Sequence, residues 1–367
     1  MRLPSRRERR SGRASFQFFH HIQNRPALAR SSGFPRDPAR DNVNVNVKVL
    51  LASPRGFCAG VKRAIEIVEV ALKVYKPPVY VRKEIVHNRF VVEDLHQRGA
   101  VFVEELADVP EGSVVVFSAH GVSPAVREEA RKRNLRVIDA TCPLVTKVHL
   151  EAEKALKDGR DLILIGHEGH DEVTGTMGEA PGRIRLVTNV ADAENLVVKS
   201  PDQLMVLTQT TLSTDDSAAI MAKLKERFPG LLLPVSDDIC YATRNRQHAV
   251  KALARLARVI LVVGARNSSN SIRLREVAEA AGAKARLVDN VNEMDWTWVD
   301  GAPAVGITAG ASAPEVLVRE LINAILSRYG GKVEEIKTVP ETVRFTIPPD
   351  LEKALDAMGV RKDQRPG

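Results

Sequence analysis

The chain has only three cysteines, and each stands in the same kind of place. Cys58 lies in Arg55-Gly56-Phe57-Cys58-Ala59-Gly60-Val61, between an apolar run, 47–52, and an amphipathic run, 61–72. Cys142 follows Val137-Ile138 in Asp139-Ala140-Thr141-Cys142-Pro143, and Cys240 sits in Asp237-Asp238-Ile239-Cys240-Tyr241. Each precedes a helix-like run. A thiol at a helix N-terminus lies at the positive end of the macrodipole, which favours thiolate. Gly56 and Gly60 allow a tight turn and the close approach of a bulky group. Three thiolates delivered from three parts of the chain can hold a zinc ion or an iron–sulfur cluster. A cluster with three cysteine ligands would keep one iron open to act as a Lewis acid. Cysteine is often simply buried, but the repeated position beside Gly or Pro argues against three inert thiols.

A second set of residues follows apolar runs. His87, His120, His167 and His170 each come just after one, in Ile85-Val86-His87-Asn88, Ser118-Ala119-His120-Gly121 and Gly166-His167-Glu168-Gly169-His170. Ser268, Ser269, Asn270 and Ser312 are small hydroxyl and amide donors close to predicted helix starts. Such groups suit phosphate oxygens, with backbone N–H groups adding to the dipole. One of the serines must also cap the helix after Ser271. No P-loop and no dinucleotide G-x-G-x-x-G fingerprint occurs at a first strand. Neutral donors and histidines with few lysines point to a small diphosphate in a closed pocket. Glu172 is an acid in a Gly/His-rich loop; beside a metal centre it could deliver protons. Thr210 and Thr211 could orient a substrate hydroxyl or a water.

Alternating strand and helix patterns from Val47 onward must position these residues, which predicts parallel sheets flanked by helices. Three units are read: 47–142, 143–235 and 236–330; in each a cysteine-bearing turn precedes a helix (Cys142 standing just before the second unit) and a later buried strand ends in a polar loop. A helix is expected from about Asn245 to Leu256. Residues 331–367 are read as a C-terminal strand, Thr342 to Ile347, and a charged tail. The fold class expected is an α/β trefoil of three similar units with mostly parallel sheets, ligands lying at the carboxyl ends of the strands.

Composition narrows the class further. Hydrophobic residues make up 44% of 367 residues, enough for a sizeable core. No apolar stretch reaches membrane-spanning length, and three widely spaced cysteines form no secreted disulfide framework. A reducing cytoplasm and no membrane are expected. The net charge of +8 is concentrated at the start. Residues 1–46 hold ten arginines against Glu8, Asp37 and Asp41, leaving a nearly neutral body and no case for nucleic acid. That segment is expected to be disordered. It is read as an upstream-extended start in preference to an organellar transit peptide or a nucleic-acid-binding arm.

The same segments, with Thr208-Gln209-Thr210-Thr211, Asp238-Ile239-Cys240, Asn267-Ser268-Ser269-Asn270 and Thr308-Ala309-Gly310-Ala311-Ser312, resemble the motifs of the 4-hydroxy-3-methylbut-2-enyl diphosphate reductase (LytB/IspH) family. The resemblance runs from about residue 47 to 345. It implies a trefoil of three α/β units around a central [4Fe-4S] cluster, with Cys58, Cys142 and Cys240 as ligands and one open iron for the substrate hydroxyl. It also implies that His87, His120, Ser268, Ser269, Asn270 and Ser312 hold the diphosphate. His170 and Thr211 would line the pocket, Thr210 would contact the hydroxyl and Glu172 would be the proton source. The implied reaction is two-electron, two-proton reductive dehydroxylation of an allylic alcohol diphosphate, the last step of the non-mevalonate isoprenoid pathway. Ferredoxin or flavodoxin would supply electrons to a monomer. The rival readings are a zinc hydrolase of a phosphorylated small molecule and a non-enzymatic binding module.

Overall fold

A computed structural model describes residues 46–234 and 236–359. The expectation of disorder over 1–46 falls, but for Asn46, outside the described residues. The strands are β1 (Val47–Ser53), β2 (Val79–Arg82), β3 (Ala100–Val103), β4 (Val114–Phe117), β5 (Arg136–Asp139), β6 (Asp161–Ile165), β7 (Ile184–Val187), β8 (Leu204–Thr208), β9 (Val259–Val263), β10 (Lys284–Val288), β11 (Ala304–Ala309) and β12 (Gly331–Lys337). The helices are α1 (Ala59–Tyr75), α2 (Arg89–Gln97), α3 (Pro124–Lys132), α4 (Pro143–Lys157), α5 (Asp171–Met177), α6 (Val190–Asn195), α7 (Thr214–Arg227), α8 (Tyr241–Ala254), α9 (Ser269–Ala280), α10 (Glu315–Tyr329) and α11 (Pro349–Ala357).

The strands form three sheets, ordered β3-β2-β4-β5, β7-β6-β8 and β10-β9-β11-β1-β12. Every strand pair is parallel. Parallel sheets must be covered on both faces, and their strands read as near-continuous apolar runs. In β6, Leu162 and Leu164 pack into one cluster and Ile163 and Ile165 into another. In β1, Val47, Val49 and Leu51 face one cluster, Leu50 and Ala52 the other. The helices that close these faces carry the site residues at their N-termini. No helix among the described residues is long and apolar enough to cross a membrane.

Four features differ from the sequence reading. First, β1 does not join the sheet of the residues that follow it; it pairs with β11 and β12 in the third sheet. A first unit drawn as one block, 47–142, therefore lends its opening strand to the third. Second, α8 begins at Tyr241, immediately after Cys240, and not near Asn245. Third, Thr342 to Ile347 forms no strand. Its alternating Val343, Phe345 and Ile347 imitate a strand face, but only Ile347 is buried, and Arg63 Nε takes the Thr346 carbonyl at 2.7 Å. Fourth, the C-terminal strand is β12, pairing from Val47↔Gly331 to Ser53↔Lys337. It is almost wholly exposed, so its sequence lacks the apolar signal of a buried strand. α11 then packs Leu351 and Leu355, one helical turn apart, into the core beside α1.

Candidate active site

Each cysteine is the N-cap of a helix: Cys58 of α1, Cys142 of α4 and Cys240 of α8. The Cys58 and Cys240 sulfurs each accept from a backbone N–H three residues on, Val61 and Thr243, at 3.4 Å. Pro143 stands at N1 of α4, and Cys142 makes no side-chain cap bond. The backbone repeats more faithfully than the caps. The Cys58 N–H donates to the Ala311 carbonyl at 3.2 Å, the Cys142 N–H to Ala119 at 3.0 Å and the Cys240 N–H to Thr210 at 3.0 Å. Each acceptor lies in a polar loop at the end of a strand. Each thiol is therefore pinned beside a loop that carries candidate site residues.

The three thiols converge. A Cβ added at Gly60 would lie 2.7 Å from Cys142 Sγ and 3.8 Å from Cys58 Sγ, so glycine alone keeps that space open. Gly56, at φ +64°, turns the chain into Cys58 while passing the Ala313 carbonyl. Burial and repulsion from Cys58 push the Cys142 thiol up to about 12 and the Cys240 thiol to about 11. The helix N-termini were expected to favour thiolate, but burial outweighs the dipole. Without a bound cation these two thiols stay protonated, and a metal would be needed to ionise them. Among the described residues, the His, Cys, Asp and Glu ligand atoms that lie within 4.8 Å of one another in a set of three belong to His87, His120 and Asp171.

All the sequence-predicted residues but His167 reach one cavity of about 100 Å³. Cys58, Cys142 and Cys240 line it together with His87, His120, His170, Glu172, Thr210, Thr211, Ser268, Ser269, Asn270 and Ser312. A water needs about 10–15 Å³ by the same measure, so the space holds a small molecule.

The second unit supplies the acid. Glu172, in the first turn of α5, is 3% exposed. Its Oε1 accepts from the Thr210 N–H at 2.7 Å and its Oε2 pairs with Thr210 Oγ1 at 3.0 Å. Burial pushes this carboxyl up to about 7, against the pull of the Thr210 bonds. Thr210, expected to contact a substrate hydroxyl, spends both its N–H and its O–H on Glu172. The Thr210 backbone is held in turn, since its carbonyl takes the Cys240 N–H.

The remaining donors form the rest of the cavity wall. His87 and His120 stack with ring centroids 4.1 Å apart, and His170 meets them edge-on at 5.4 and 5.8 Å. Burial and the neighbouring rings hold His120 well below its usual range and His170 at about 3, so both rings are neutral. Ser268 caps α9, accepting from Ser271 N, and its Oγ lies 3.3 Å from Ser312 Oγ. Ser312 Oγ donates to the His87 carbonyl at 2.9 Å, joining the third unit to the first. Thr211 Oγ1 and Ser269 Oγ are 3.0 Å apart, and Gln209 Nε2 donates to Thr211 at 2.8 Å, joining the second unit to the third. The Asn270 carbonyl oxygen accepts from the Ala311 N–H at 2.8 Å. His167 stands apart from this wall; its N–H donates to Gln209 Oε1 at 3.0 Å.

Several supporting residues escaped the sequence reading. Arg246, fully buried in α8, donates to the Gly56 carbonyl at 3.0 and 2.7 Å and pairs with Glu341 at 2.8 Å. Arg63 on α1 donates to the Thr141 carbonyl at 3.0 Å. Asp238 bridges Lys147 at 2.7 Å and the Thr208 N–H at 3.0 Å. Tyr241 OH takes the Ala59 N–H at 3.2 Å, tying the start of α8 to the start of α1. Each lies beside a cysteine turn. Position beside a cysteine within a quoted motif was the only available signal, and only Asp238 and Tyr241 had it.

Comparison with known proteins agrees with this geometry. A family model described as LytB protein matches residues 49–326, well over half of the chain. A 4-hydroxy-3-methylbut-2-enyl diphosphate reductase of Azoarcus sp. (strain BH72) is 59% identical over 309 residues, which cover 84% of this chain and 99% of that protein. The enzyme so named from Psychrobacter sp. (strain PRwf-1) is 55% identical over 319 residues, 86% and 100% of the two chains. The solved E-1-hydroxy-2-methyl-but-2-enyl-4-diphosphate reductase of Plasmodium falciparum superposes with a TM-score of 0.83 at 39% identity, covering 86% of this chain and 99% of that one. A solved (E)-4-hydroxy-3-methyl-but-2-enyl diphosphate reductase, the terminal enzyme of the non-mevalonate pathway, gives 0.55 at 30% identity over 77% and 99%. These likenesses give no support to the zinc hydrolase reading. The chain belongs to the LytB family.

Proposed function

We propose that this chain is a 4-hydroxy-3-methylbut-2-enyl diphosphate reductase, acting at the terminal step of the non-mevalonate isoprenoid pathway. The allylic alcohol diphosphate takes up two electrons and two protons, loses its hydroxyl as water and becomes isopentenyl or dimethylallyl diphosphate. The observation that carries this reading is the single cavity lined by three cysteines, a buried carboxyl and a wall of hydroxyl, amide and imidazole groups.

Cys58, Cys142 and Cys240 would hold a [4Fe-4S] cluster, which would supply a Lewis acid for the hydroxyl and the electrons for C–O cleavage. Glu172 delivers the proton that turns the departing hydroxyl into water. A carboxyl at about 7 is still partly protonated near neutral pH, which suits a general acid. The two Thr210 donors stay in place and receive the carboxylate once its proton has gone. His87, His120, Ser268, Ser269, Asn270 and Ser312 anchor the diphosphate, while His170 and Thr211 shape the pocket between the two ends. Anchoring the remote diphosphate orients the hydroxyl, so binding energy is spent on positioning. A ferredoxin or flavodoxin is the proposed electron donor, and a cytoplasmic monomer the proposed form.

The test is turnover of the allylic diphosphate by anaerobically purified protein with reduced ferredoxin. Formation of both isoprenoid diphosphates is expected. A preparation with full iron and sulfide that leaves the substrate intact would overturn the reading.

A further inference from the structure

His87 is not held as the other rings are. His120 Nδ1 meets Ser118 Oγ at 3.2 Å, and His170 Nδ1 accepts from the Glu172 N–H at 3.2 Å. His87 Nδ1 instead meets a carboxylate, Glu84 Oε2, at 3.1 Å. The same oxygen accepts from Asn267 Nδ2 at 2.8 Å. Glu84 lies in the loop after β2 and Asn267 in the loop after β9, next to Ser268. One carboxylate oxygen thus joins two units at the cavity wall.

We propose that Glu84 is a positioning residue: it grips His87 by Nδ1, turns Nε2 towards the diphosphate, and locks that ring to the Asn267–Asn270 loop. The proposal rests on the reductase reading, which assigns the diphosphate to this wall. A carboxylate bonded to one ring nitrogen fixes the plane of the imidazole, and so where the other nitrogen points. The other titratable and charged groups around His87 are His120 from the loop after β4, His170 and Asp171 from the start of α5, and Lys83 beside Glu84. Burial and neighbouring rings keep His120 and His170 neutral. Asp171 reaches the His87 and His120 nitrogens within 4.8 Å, but Lys83 stands 3.8 Å from its carboxylate. Bonds from His87 and Asn267 hold Glu84 below the usual carboxylate range, so it is charged at neutral pH.

The experiment is calorimetric binding of inorganic diphosphate to the cluster-loaded full chain at pH 7, with substrate kinetics alongside. Glu84→Gln removes the charge and keeps an acceptor. It should weaken diphosphate by about 10-fold at pH 7. KM should rise by a similar factor, more than kcat falls. Asn267→Ala, which leaves the Glu84–His87 bond, should weaken binding less than Glu84→Gln. Unchanged affinity in Glu84→Gln, or a fall in kcat as large as the rise in KM, would overturn the proposal. Glu84→Asp, which keeps the carboxylate, should restore part of the affinity if the variant folds poorly with Gln. If the wild type binds diphosphate but does not reduce the allylic substrate, the reductase reading falls, and the binding data still decide the role of Glu84.

Discussion

The cavity has a floor built three times the same way and a wall built three different ways. On the floor, each cysteine caps a helix and gives its backbone N–H to the carbonyl of a neighbouring polar loop, Ala311, Ala119 or Thr210. On the wall, the first unit presents His87 and His120, the second Glu172, Thr210 and Thr211, and the third Ser268, Ser269, Asn270 and Ser312. Repetition suits a part that must grip one object from three sides. Difference suits a substrate with a hydroxyl at one end and a diphosphate at the other. The scaffold is pseudo-symmetric where it holds and asymmetric where it reacts.

The comparison can be broken first at the floor. Cys142→Ser should abolish cluster iron and drop turnover to background, and Cys58→Ser and Cys240→Ser should do the same. Full iron content and activity in any one of them would remove that cysteine from the set. On the wall, Glu172→Gln should keep iron and KM yet lower kcat by about 10²–10⁴-fold, the usual share of a general acid. In the wild type kcat should fall as pH rises past about 7, because burial raises this carboxyl to about 7 and ionisation removes the proton it must give. That limb should vanish in Glu172→Gln; its persistence would place the titration elsewhere.

At the diphosphate end, Ser312→Ala should raise KM by about 10-fold with kcat nearly unchanged. One hydrogen bond to a charged group is worth about 1.5–3 kcal/mol, and the loss falls on ground and transition states alike. A kcat loss as large as that of Glu172→Gln would erase the division between the two ends. The smallest effect on turnover is expected behind the floor. Arg246→Ala removes the ion pair to Glu341, which keeps its bond from Asn245, and takes the guanidinium from the Gly56 carbonyl; this should cost about 1–3 kcal/mol of stability. Thermal unfolding should show this loss while the folded fraction retains iron.

The floor and the wall were legible because their residues are chemically unusual and stand in short Gly- or Pro-bearing turns after apolar runs. Cys58, His120 and Ser268 each announce themselves in this way. The supports were not legible. Arg246 sits in mid-helix, where an arginine reads as a solvated charge, and its acceptors come from residues 56 and 341. Glu84 likewise reads as an ordinary loop acid until the fold brings Asn267 to it. The strand at residues 331–337 was missed because an exposed edge needs no apolar alternation, and the segment at 342–347 was overread because alternation alone does not supply a pairing partner. β1 in the third sheet marks the same limit, since periodicity names a strand but not its neighbours.

The central claim is that the floor holds an iron–sulfur cluster, and the most direct measurement is the iron, acid-labile sulfide and zinc content of anaerobically purified protein, taken with its visible spectrum. Near-equal iron and sulfide with a brown chromophore is the result predicted. A colourless protein with one zinc per chain and no sulfide would contradict it.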